Sequence, residues 1–346
     1  MLAEQEVDAL SSSQPVRTVR RAAVTVVAAT AVLAGLTACA DSTDDDASTI
    51  VRTTTKIAGA GVVNVERDTS AACARPTAPD PGAPDPQRIV VLDSAAMDSV
   101  CALGLWERVV GAATAPGDDP HPSYLGTGIS VLPSVGPESA PDVAQITEAA
   151  PDLILGSVPA APDLADRLDA IAPTVFVGDD PVQWKSQFLA AGRALGRSGA
   201  ARQALDAYTA DAARIGTEIN ARQTQASVIR FSSGETSIEG PGSFSGQVLA
   251  DADVQRPAYQ RIEVASKDID DLADAEGDLI YVSFDGPDGL AHGTSVMESD
   301  AWSDLGAVTD NRVFAVDDEV WNAGNGVVAA RAVLSDLQQS LNAYVS

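Results

Sequence analysis

The sequence is short of the residues that most metal and nucleic-acid sites require. Its 346 residues include two histidines and three cysteines, too few for zinc or iron–sulfur centres, which normally take three or four such ligands. Basic residues are also scarce, with 22 Lys and Arg against 49 Asp and Glu and a formal net charge of −27. A chain of this charge is a poor partner for nucleic-acid phosphates. We therefore expect no resident metal and no nucleic-acid partner.

Common catalytic signatures are missing as well. The stretch GSFSG at 242–246 has Phe244 where a nucleophile elbow needs serine. There is no Walker loop and no G-x-G-x-x-G after a strand. His121 and His292 lie in loops rich in proline and glycine, without a local partner at metal-ligand spacing. Nothing in the sequence argues for catalysis, so we expect a protein that is not an enzyme.

The chain has no apolar run long enough to cross a bilayer in the usual way of about 20 residues. The uncharged run at 22–36 follows three arginines and ends close to Cys39, before a polar stretch. A positive cluster followed by an apolar run is typical of a secretory signal, and Leu-Thr-Ala-Cys at its end resembles a bacterial lipobox. This pattern predicts a signal peptide over 1–38 and acylation of Cys39. The protein is then expected on the extracytoplasmic face of the cell membrane, held by lipid.

Two cysteines remain once Cys39 is lipidated. Thiols outside the cytoplasm tend to oxidise, so we expect a disulfide between Cys73 and Cys101. This bond would pin an acidic, proline-rich tether at 39–86 to the first domain. The alternative is that Cys101, within the helical pattern of 95–104, is simply a buried small residue.

From residue 87 onward, the sequence alternates between strand and helix patterns. Short continuous apolar runs are typical of buried parallel strands, and they occur at 88–92, 153–157, 174–178, 227–231, 278–282 and 312–316. The run at 57–65 is a further candidate for a surface strand. We predict an α/β fold with two Rossmann-like lobes, 87–181 and 225–346, each with a mostly parallel sheet. A long helical region over 182–224 would join the lobes, with a ligand cleft between them.

An internal repeat supports two related lobes. Residues 142–155 align without gaps onto 268–281, with five identities in 14 positions. Each copy is interpreted as an Asp N-cap, a short helix, a tight turn and a buried strand. The alternative is that any two helix–strand units look alike, but the equal spacing favours duplication.

Four blocks, at 86–112, 141–155, 243–257 and 301–321, give the chain a family resemblance. With the lipobox and tether, they resemble the substrate-binding lipoproteins of bacterial ABC importers, in the class that handles iron–siderophore complexes, haem and cobalamin. Within this class, the blocks resemble those of actinobacterial ferric-siderophore proteins. The resemblance implies a ligand in the cleft, small hinge movement about the long helix, and an ABC permease that recognises the outer surfaces of the lobes.

The resemblance also suggests residues of the ligand pocket. Trp321 occupies the position of a pocket aromatic in hydroxamate-binding relatives, and Tyr124 the position of a ligand-facing tyrosine. Ser157 and Phe244 are candidates because they fall in loops at the cleft. Arg230 could face an anionic ligand, or it could pair with one of the many acids. Trp106 and Trp302 are interpreted as packing residues.

Docking acids are expected by the same resemblance, one on each lobe. The spacing places the second-lobe acid at Asp270, whereas the first-lobe position is Ala144. Asp142 or Glu148 could substitute there, although helix capping is the preferred interpretation of Asp142 and Asp268. The departure at Ala144 puts standard permease docking in doubt.

The sequence therefore leaves three functions open. The first is capture of a ferric siderophore, and the scarcity of basic residues favours a neutral hydroxamate or mixed type. The second is haem binding, with His121 and Tyr124 on one lobe and Tyr259 or His292 on the other as axial ligands. The preferred interpretation of both histidines is that they are solvated loop residues. The third is a cell-envelope interaction protein that kept the fold without transport.

Overall fold

The computed structural model describes residues 61–62, 68–115, 120–158, 161–178, 180–261 and 264–342. These residues belong to one compact unit, Ala47–Ser346. The predicted signal peptide, Cys39 and the first part of the tether lie outside the described residues. None of the described helices has the combination of length and apolar character that a bilayer crossing needs.

The strands in chain order are β1 (Gly61–Val62), β2 (Ile89–Val91), β3 (Val109–Thr114), β4 (Ser134–Pro137), β5 (Leu153–Gly156), β6 (Thr174–Phe176), β7 (Ala226–Ser232), β8 (Glu235–Glu239), β9 (Ser266–Asp268), β10 (Leu279–Phe284) and β11 (Val313–Ala315). Strands β2 to β6 form an all-parallel sheet in the order β4-β3-β2-β5-β6. The other six form a sheet in the order β1-β11-β10-β7-β8-β9, in which β8 is antiparallel to both β7 and β9 and the other described pairs are parallel. The predicted pair of α/β lobes with mostly parallel sheets is confirmed.

The α-helices are α1 (Ser94–Ala102), α2 (Thr127–Ser130), α3 (Val143–Glu148), α4 (Pro162–Asp169), α5 (Trp184–Ala194), α6 (Ser198–Glu218), α7 (Phe244–Asp251), α8 (Gly286–Met297), α9 (Asp300–Ser303), α10 (Gly306–Thr309), α11 (Asp318–Trp321) and α12 (Val327–Asn342). Several begin at the side chains expected to cap them. Asp93 accepts a hydrogen bond from the Ala96 amide at the start of α1, and Ser243 does the same for Gly246 in α7.

The two lobes share one strand order. If the strands of each lobe are numbered from its own first strand, both sheets have the order 3-2-1-4-5, and β1 is added at the edge of the second. The hydrogen bonds at the repeated aspartates match as well. Asp152 donates its amide to the Arg88 carbonyl and Asp278 donates its amide to the Gln225 carbonyl, each at 2.8 Å. Their carboxylates accept the Arg88 and Gln225 amides in return, so the repeated aspartates fix the same strand pair in each lobe.

The helical half of the repeat is less regular than predicted. Asp142 caps α3 as expected, accepting from the amides of Ala144 and Gln145. Asp268 was expected to cap the second copy but instead ends β9. Asp271 caps a four-residue 3-10 turn that replaces the helix. The strand β9 pairs with β8 at the sheet edge. The Ile269 amide also donates to the Thr236 carbonyl at 2.9 Å, so the chain is still extended at the position where α3 begins in the first copy.

Three hydrophobic clusters form the core. One, including Val90, Ile146 and Leu168, lies between the first sheet and helices α3 and α4. A second, including Phe231 and Trp302, lies on the outer face of the second sheet. The third and largest runs without interruption from the inner face of one sheet to the inner face of the other, through α1, α5, α6, α7 and α12. A shared core of this size favours limited movement between the lobes.

The helical region between the lobes is not one helix. It was predicted over 182–224, but the structure breaks it into α5 and α6 at Leu195–Arg197. Gly196 takes a positive φ of +66°, and a Cβ there would lie 1.8 Å from the Pro84 carbonyl oxygen. The break therefore needs glycine both for its backbone conformation and for close approach of the preceding segment.

The end of the predicted tether packs on the first lobe. Cys73 and Cys101 form the expected disulfide. Arg197, fully buried, donates to the Thr77 carbonyl at 3.0 Å and pairs with Asp85. Hydrogen bonds from Arg197 and then Arg108 hold the pKa of Asp85 at about 2. Residues 68–86 are thus part of the lobe surface, which corrects the tether boundary predicted at 86.

Candidate functional site

The candidate site is the cleft between the lobes. In open α/β sheets, ligands bind beyond the carboxyl ends of the strands, where the strand order reverses. This point lies between β2 and β5 in the first lobe and between β7 and β10 in the second. The chain leaves these strands at Asp93 and Ser157 on one side and at Ser232 and Asp285 on the other.

The first-lobe wall is organised by Asp93. Its carboxylate accepts from the Ala96 amide and from the Ser157 amide, so it caps α1 and fixes the loop after β5. The Ser157 hydroxyl donates to the Gly178 carbonyl at 3.2 Å. Next to Asp93, the hydroxyl of Ser94 donates to Glu138 at 2.8 Å, and burial raises the pKa of the Glu138 carboxyl. The two acids of this wall, Asp93 and Glu138, already accept hydrogen bonds within the lobe, and the hydroxyls of Ser94 and Ser157 already donate within it.

The second-lobe wall is organised by Arg230. Its Nε and Nη2 donate to the two carboxylate oxygens of Asp318 at 2.9 and 2.8 Å, and Nη2 lies 3.3 Å from an oxygen of Asp285. Ser283 and Asn322 donate to the same Asp318 carboxylate, at 3.0 and 2.7 Å. The bond to Asp318 raises the pKa of Arg230 further. Of the two interpretations of Arg230, the structure shows the pairing with acids.

A direct bond joins the two lobes at one side of the cleft. The amide and hydroxyl of Ser123, in a 3-10 turn after β3, both donate to Oε2 of Glu319 in α11, at 3.0 and 2.5 Å. A second link lies deeper, where Asp98 of α1 accepts the amides of Val328 and Ala329 at the start of α12. Burial raises the pKa of Asp98 to about 6, against the lowering effect of these bonds.

Trp321 does not line the cleft. Its side chain has no exposed surface, its ring packs against Tyr281 at 4.6 Å between centroids, and its Nε1 donates to Asp336 at 2.8 Å. The prediction of a pocket aromatic is therefore wrong for this structure. The short helix α11 turns the ring inward onto the shared core, where sequence position alone indicated a loop.

Tyr124 and Phe244 are also core residues and not exposed pocket residues. Tyr124 is 3% exposed and its hydroxyl donates to the buried Asp98 at 3.3 Å. Phe244 is 2% exposed and packs edge-on against Trp184. Both follow a loop, as expected, but each begins or lies within a helical turn that directs its ring inward. Trp302 is buried and Trp106 half-buried, as their interpretation as packing residues requires.

The residues considered for haem do not meet at the cleft. His121 is buried, and burial lowers its pKa, so it is not the solvated residue that was preferred. His292 lies on α8 with its Nε2 3.0 Å from the Thr236 hydroxyl. Tyr259 donates to the carbonyls of Ala273 and Glu276, beside the amino ends of the second-lobe strands. Among the residues that the structure describes, no group of three or more His, Cys, Asp or Glu side chains could hold a metal ion.

The structure adds cleft residues that sequence reasoning missed. Asp285, Asp318 and Glu319 were not singled out, because acids are too common in this chain for any one to stand out. Their position directly after β10 and β11 is the signal that could have found them. Val158 and Val182, 69% and 51% exposed, follow β5 and β6 and give the first-lobe rim apolar surface.

The two expected docking acids, Asp270 and Asp142, differ in exposure and in hydrogen bonding. Asp270 is exposed and lines an open groove of about 640 Å³ together with Glu235, Asp268 and His292. Asp142 is half-buried, and its carboxylate is occupied with capping α3. Hydrogen bonds from the Ala144 and Gln145 amides lower the pKa of Asp142. The preferred interpretation of Asp142 as a cap agrees with these bonds.

Two lobes of one strand order, with a shared core and a cleft at their paired strand ends, define the class of bilobal ligand-binding proteins. The chain belongs to the periplasmic binding protein family, whose model matches residues 89–320. The predicted family resemblance is confirmed. The family is defined by ligand binding, the role the sequence favours over catalysis.

Curated relatives and solved structures agree with this membership. The probable siderophore-binding lipoprotein YfiY of Bacillus subtilis is 28% identical over 269 residues, which cover 73% of this chain and 82% of the relative. The achromobactin-binding periplasmic protein of Dickeya dadantii is 25% identical, covering 73% and 85%. Staphylococcus aureus SirA, solved with staphyloferrin B, superposes with a TM-score of 0.65 at 26% identity, covering 75% of this chain and 94% of SirA.

Proposed function

We propose that this chain is an extracytoplasmic, lipid-anchored binding protein that captures a ferric siderophore and delivers it to an ABC permease. The observation that carries the proposal is the cleft at paired strand ends in a family member whose similar proteins are named for siderophores. The shared core beneath the cleft supports a mechanism with small lobe movements, in which ligand binding adjusts contacts such as that between Ser123 and Glu319.

The anchor is supported by the sequence and by two relatives. Three arginines, the apolar run at 22–36 and Cys39 have the order of a lipoprotein signal. The relatives YfiY and YhfQ of Bacillus subtilis are both named as lipoproteins. Acylation of Cys39 would leave the two lobes outside the membrane, next to a permease.

The siderophore class is argued from the cleft, because the relatives' names include achromobactin, Fe(3+)-citrate and petrobactin and so do not converge. Acids lie on both walls, and Arg230 is held by two of them. Exposed valines at the first-lobe rim suit an apolar spacer. These features favour a neutral chelate of the hydroxamate or mixed type over a trianionic catecholate.

Docking to the permease is proposed through the second lobe. Asp270 is exposed on the rim of its groove, where a permease arginine or lysine could reach it. On the first lobe, Ala144 offers no charge and Asp142 is committed to its cap. Docking would then depend on one lobe more than on the other.

Ligand titration tests the proposed function. The purified chain is titrated with a neutral ferric trihydroxamate, ferric citrate, a ferric triscatecholate and haemin, with tryptophan fluorescence and native mass spectrometry as readouts. We expect saturable 1:1 binding of the trihydroxamate and no shift of the haemin Soret band. A stoichiometric Soret shift would move the assignment to haem. No response to any chelate would favour the envelope-interaction function.

A further inference from the structure

On both walls of the cleft, the acidic side chains outnumber the basic ones. The first-lobe wall carries Asp93 and Glu138. The second carries Arg230 with Asp285 and Asp318, and α11 adds Glu319. Apart from Arg230, these side chains are all acids. The location of the cleft is set by the fold and not by these acids, so their effect is on what the cleft accepts.

Arg230 is poorly placed to offset this imbalance. Its fork is bound to both oxygens of Asp318, whose side chain is 14% exposed, and the outer nitrogen also faces Asp285 at 3.3 Å. A ligand anion could take the fork only by displacing Asp318. This would leave a nearly buried carboxylate without its cation, which is costly. Arg230 therefore offsets part of the negative charge of its own wall instead of serving as an anion receptor.

We infer that the cleft selects ferric chelates that carry positive charge, and that Asp285 is a specificity-determining residue for this selection. The inference rests on the proposed capture of a ferric siderophore, and it changes the favoured charge of the chelate from neutral to positive. Asp285 lies between the carboxyl end of β10 and the start of α8, and its side chain is 54% exposed, so it adds negative charge at the strand ends that form the cleft. A cleft lined by one sign of charge between low-dielectric walls concentrates counter-charged ligands and speeds their association.

The test uses one iron-binding core at three charges. Ferrioxamine B carries a pendant ammonium, its N-acetyl derivative is neutral and its N-succinyl derivative is anionic, while the ferric trihydroxamate centre is the same in all three. Each is titrated into the full-length chain in detergent. We expect affinity to fall from cation to neutral to anion, with about a tenfold span at low ionic strength that shrinks as salt is added.

A charge-matched pair of variants assigns the effect to Asp285. Asp285→Asn removes one negative charge at the carboxyl ends of the strands and should reduce the span at least threefold. Asp253→Asn removes one negative charge from an exposed acid paired with Arg222, beside the amino ends, and should leave the span unchanged. Circular dichroism melting confirms that both variants are folded.

The failures of the two proposals are distinguishable. Equal affinity for all three chelates, or tighter binding of the anion, would overturn the charge selection while siderophore capture stands. A span that falls equally in both variants would overturn the role of Asp285. If none of the three binds, charge selection on a hydroxamate is wrong, and binding of ferric citrate or a catecholate would then preserve the wider function.

Discussion

The carboxylate of Asp98, in the middle of α1, lies 3.0 Å from the backbone amide of Ala329 at the start of α12. The first lobe thus provides the cap for the last helix of the chain. Helix N-termini attract negative charge, and their first amides have no hydrogen-bond partner inside the helix. Asp98 of the first lobe therefore accepts hydrogen bonds that the start of α12 cannot satisfy within its own helix. A Cβ on Gly326 would collide with this carboxylate, which explains the glycine at that position.

The burial of Asp98 predicts a stability effect of pH. Its pKa is raised to about 6 in the folded protein from an ordinary 3.8, so the folded state holds the proton more tightly than the unfolded state does. The resulting stabilisation is full below pH ~4 and is lost as pH rises through ~6, by roughly 3 kcal/mol for this shift. Asp98→Asn removes the titration. The unfolding free energy of wild type minus variant should therefore fall by about this amount between pH 4 and pH 7 in urea titrations. A constant difference would contradict the argument.

Trp321 should behave as a core residue. Trp321→Ala removes a fully buried indole and leaves Asp336 without that donor, so we expect a loss of about 3–5 kcal/mol in unfolding free energy. Trp321→Phe keeps most of the volume and should cost about 1–3 kcal/mol through the lost hydrogen bond. Thermal and urea unfolding measure both. An alanine variant with unchanged melting and weakened ligand binding would instead restore Trp321 to the pocket.

The contact between Ser123 and Glu319 should hold the lobes together at one side of the cleft. Ser123→Ala removes the hydroxyl but keeps the amide donor, so the contact should weaken by about 1 kcal/mol. Amide hydrogen exchange across 123–125 and 318–321 should then quicken. Ser130→Ala is the matched control, because the Ser130 hydroxyl donates within its own turn. Equal effects of the two variants would remove the contact from any role in lobe opening.

The disulfide should stabilise the first lobe and the segment packed on it. Cys73 and Cys101 are 28 positions apart, and closing a loop of this length stabilises a fold by about 3.6 kcal/mol in the chain-entropy model. We expect the double variant with both cysteines replaced by serine to lose this amount in denaturant titrations. Limited proteolysis should then cut between 74 and 86. The variant treated with reductant is the control, since it should show no further change.

If the permease docks through Asp270, a change at this residue should lower transport and leave ligand binding unchanged. Asp270→Asn should lower uptake of radiolabelled ferric chelate in cells while ligand affinity stays within twofold, because the residue lies on an outer groove. Asp142→Asn should leave uptake unchanged and cost about 1 kcal/mol or less in stability, as asparagine also caps helices. If uptake falls with Asp142→Asn alone, docking uses the first lobe.

The sequence by itself determined the α/β class, the duplicated lobes and the family, because these follow from local patterns. It favoured the disulfide because two cysteines remain once Cys39 is acylated, and the structure shows the bond. Continuous apolar runs indicate buried parallel strands wherever they pack, and the repeated aspartates mark the same strand pair twice. Strands such as β4, β8 and β9 were missed, since edge and antiparallel strands of this kind carry no such run.

The tertiary structure decided which side chains reach the cleft. Trp321 and Tyr124 stand at positions where a loop was expected, but their exposure depends on how α11 and the turn after β3 pack onto a core drawn from both lobes. The partners of Arg230 come from the starts of α8 and α11, 55 and 88 residues further along the chain. Contacts over such separations leave no local signature, because they depend on how distant elements pack and not on the periodicity of any one segment.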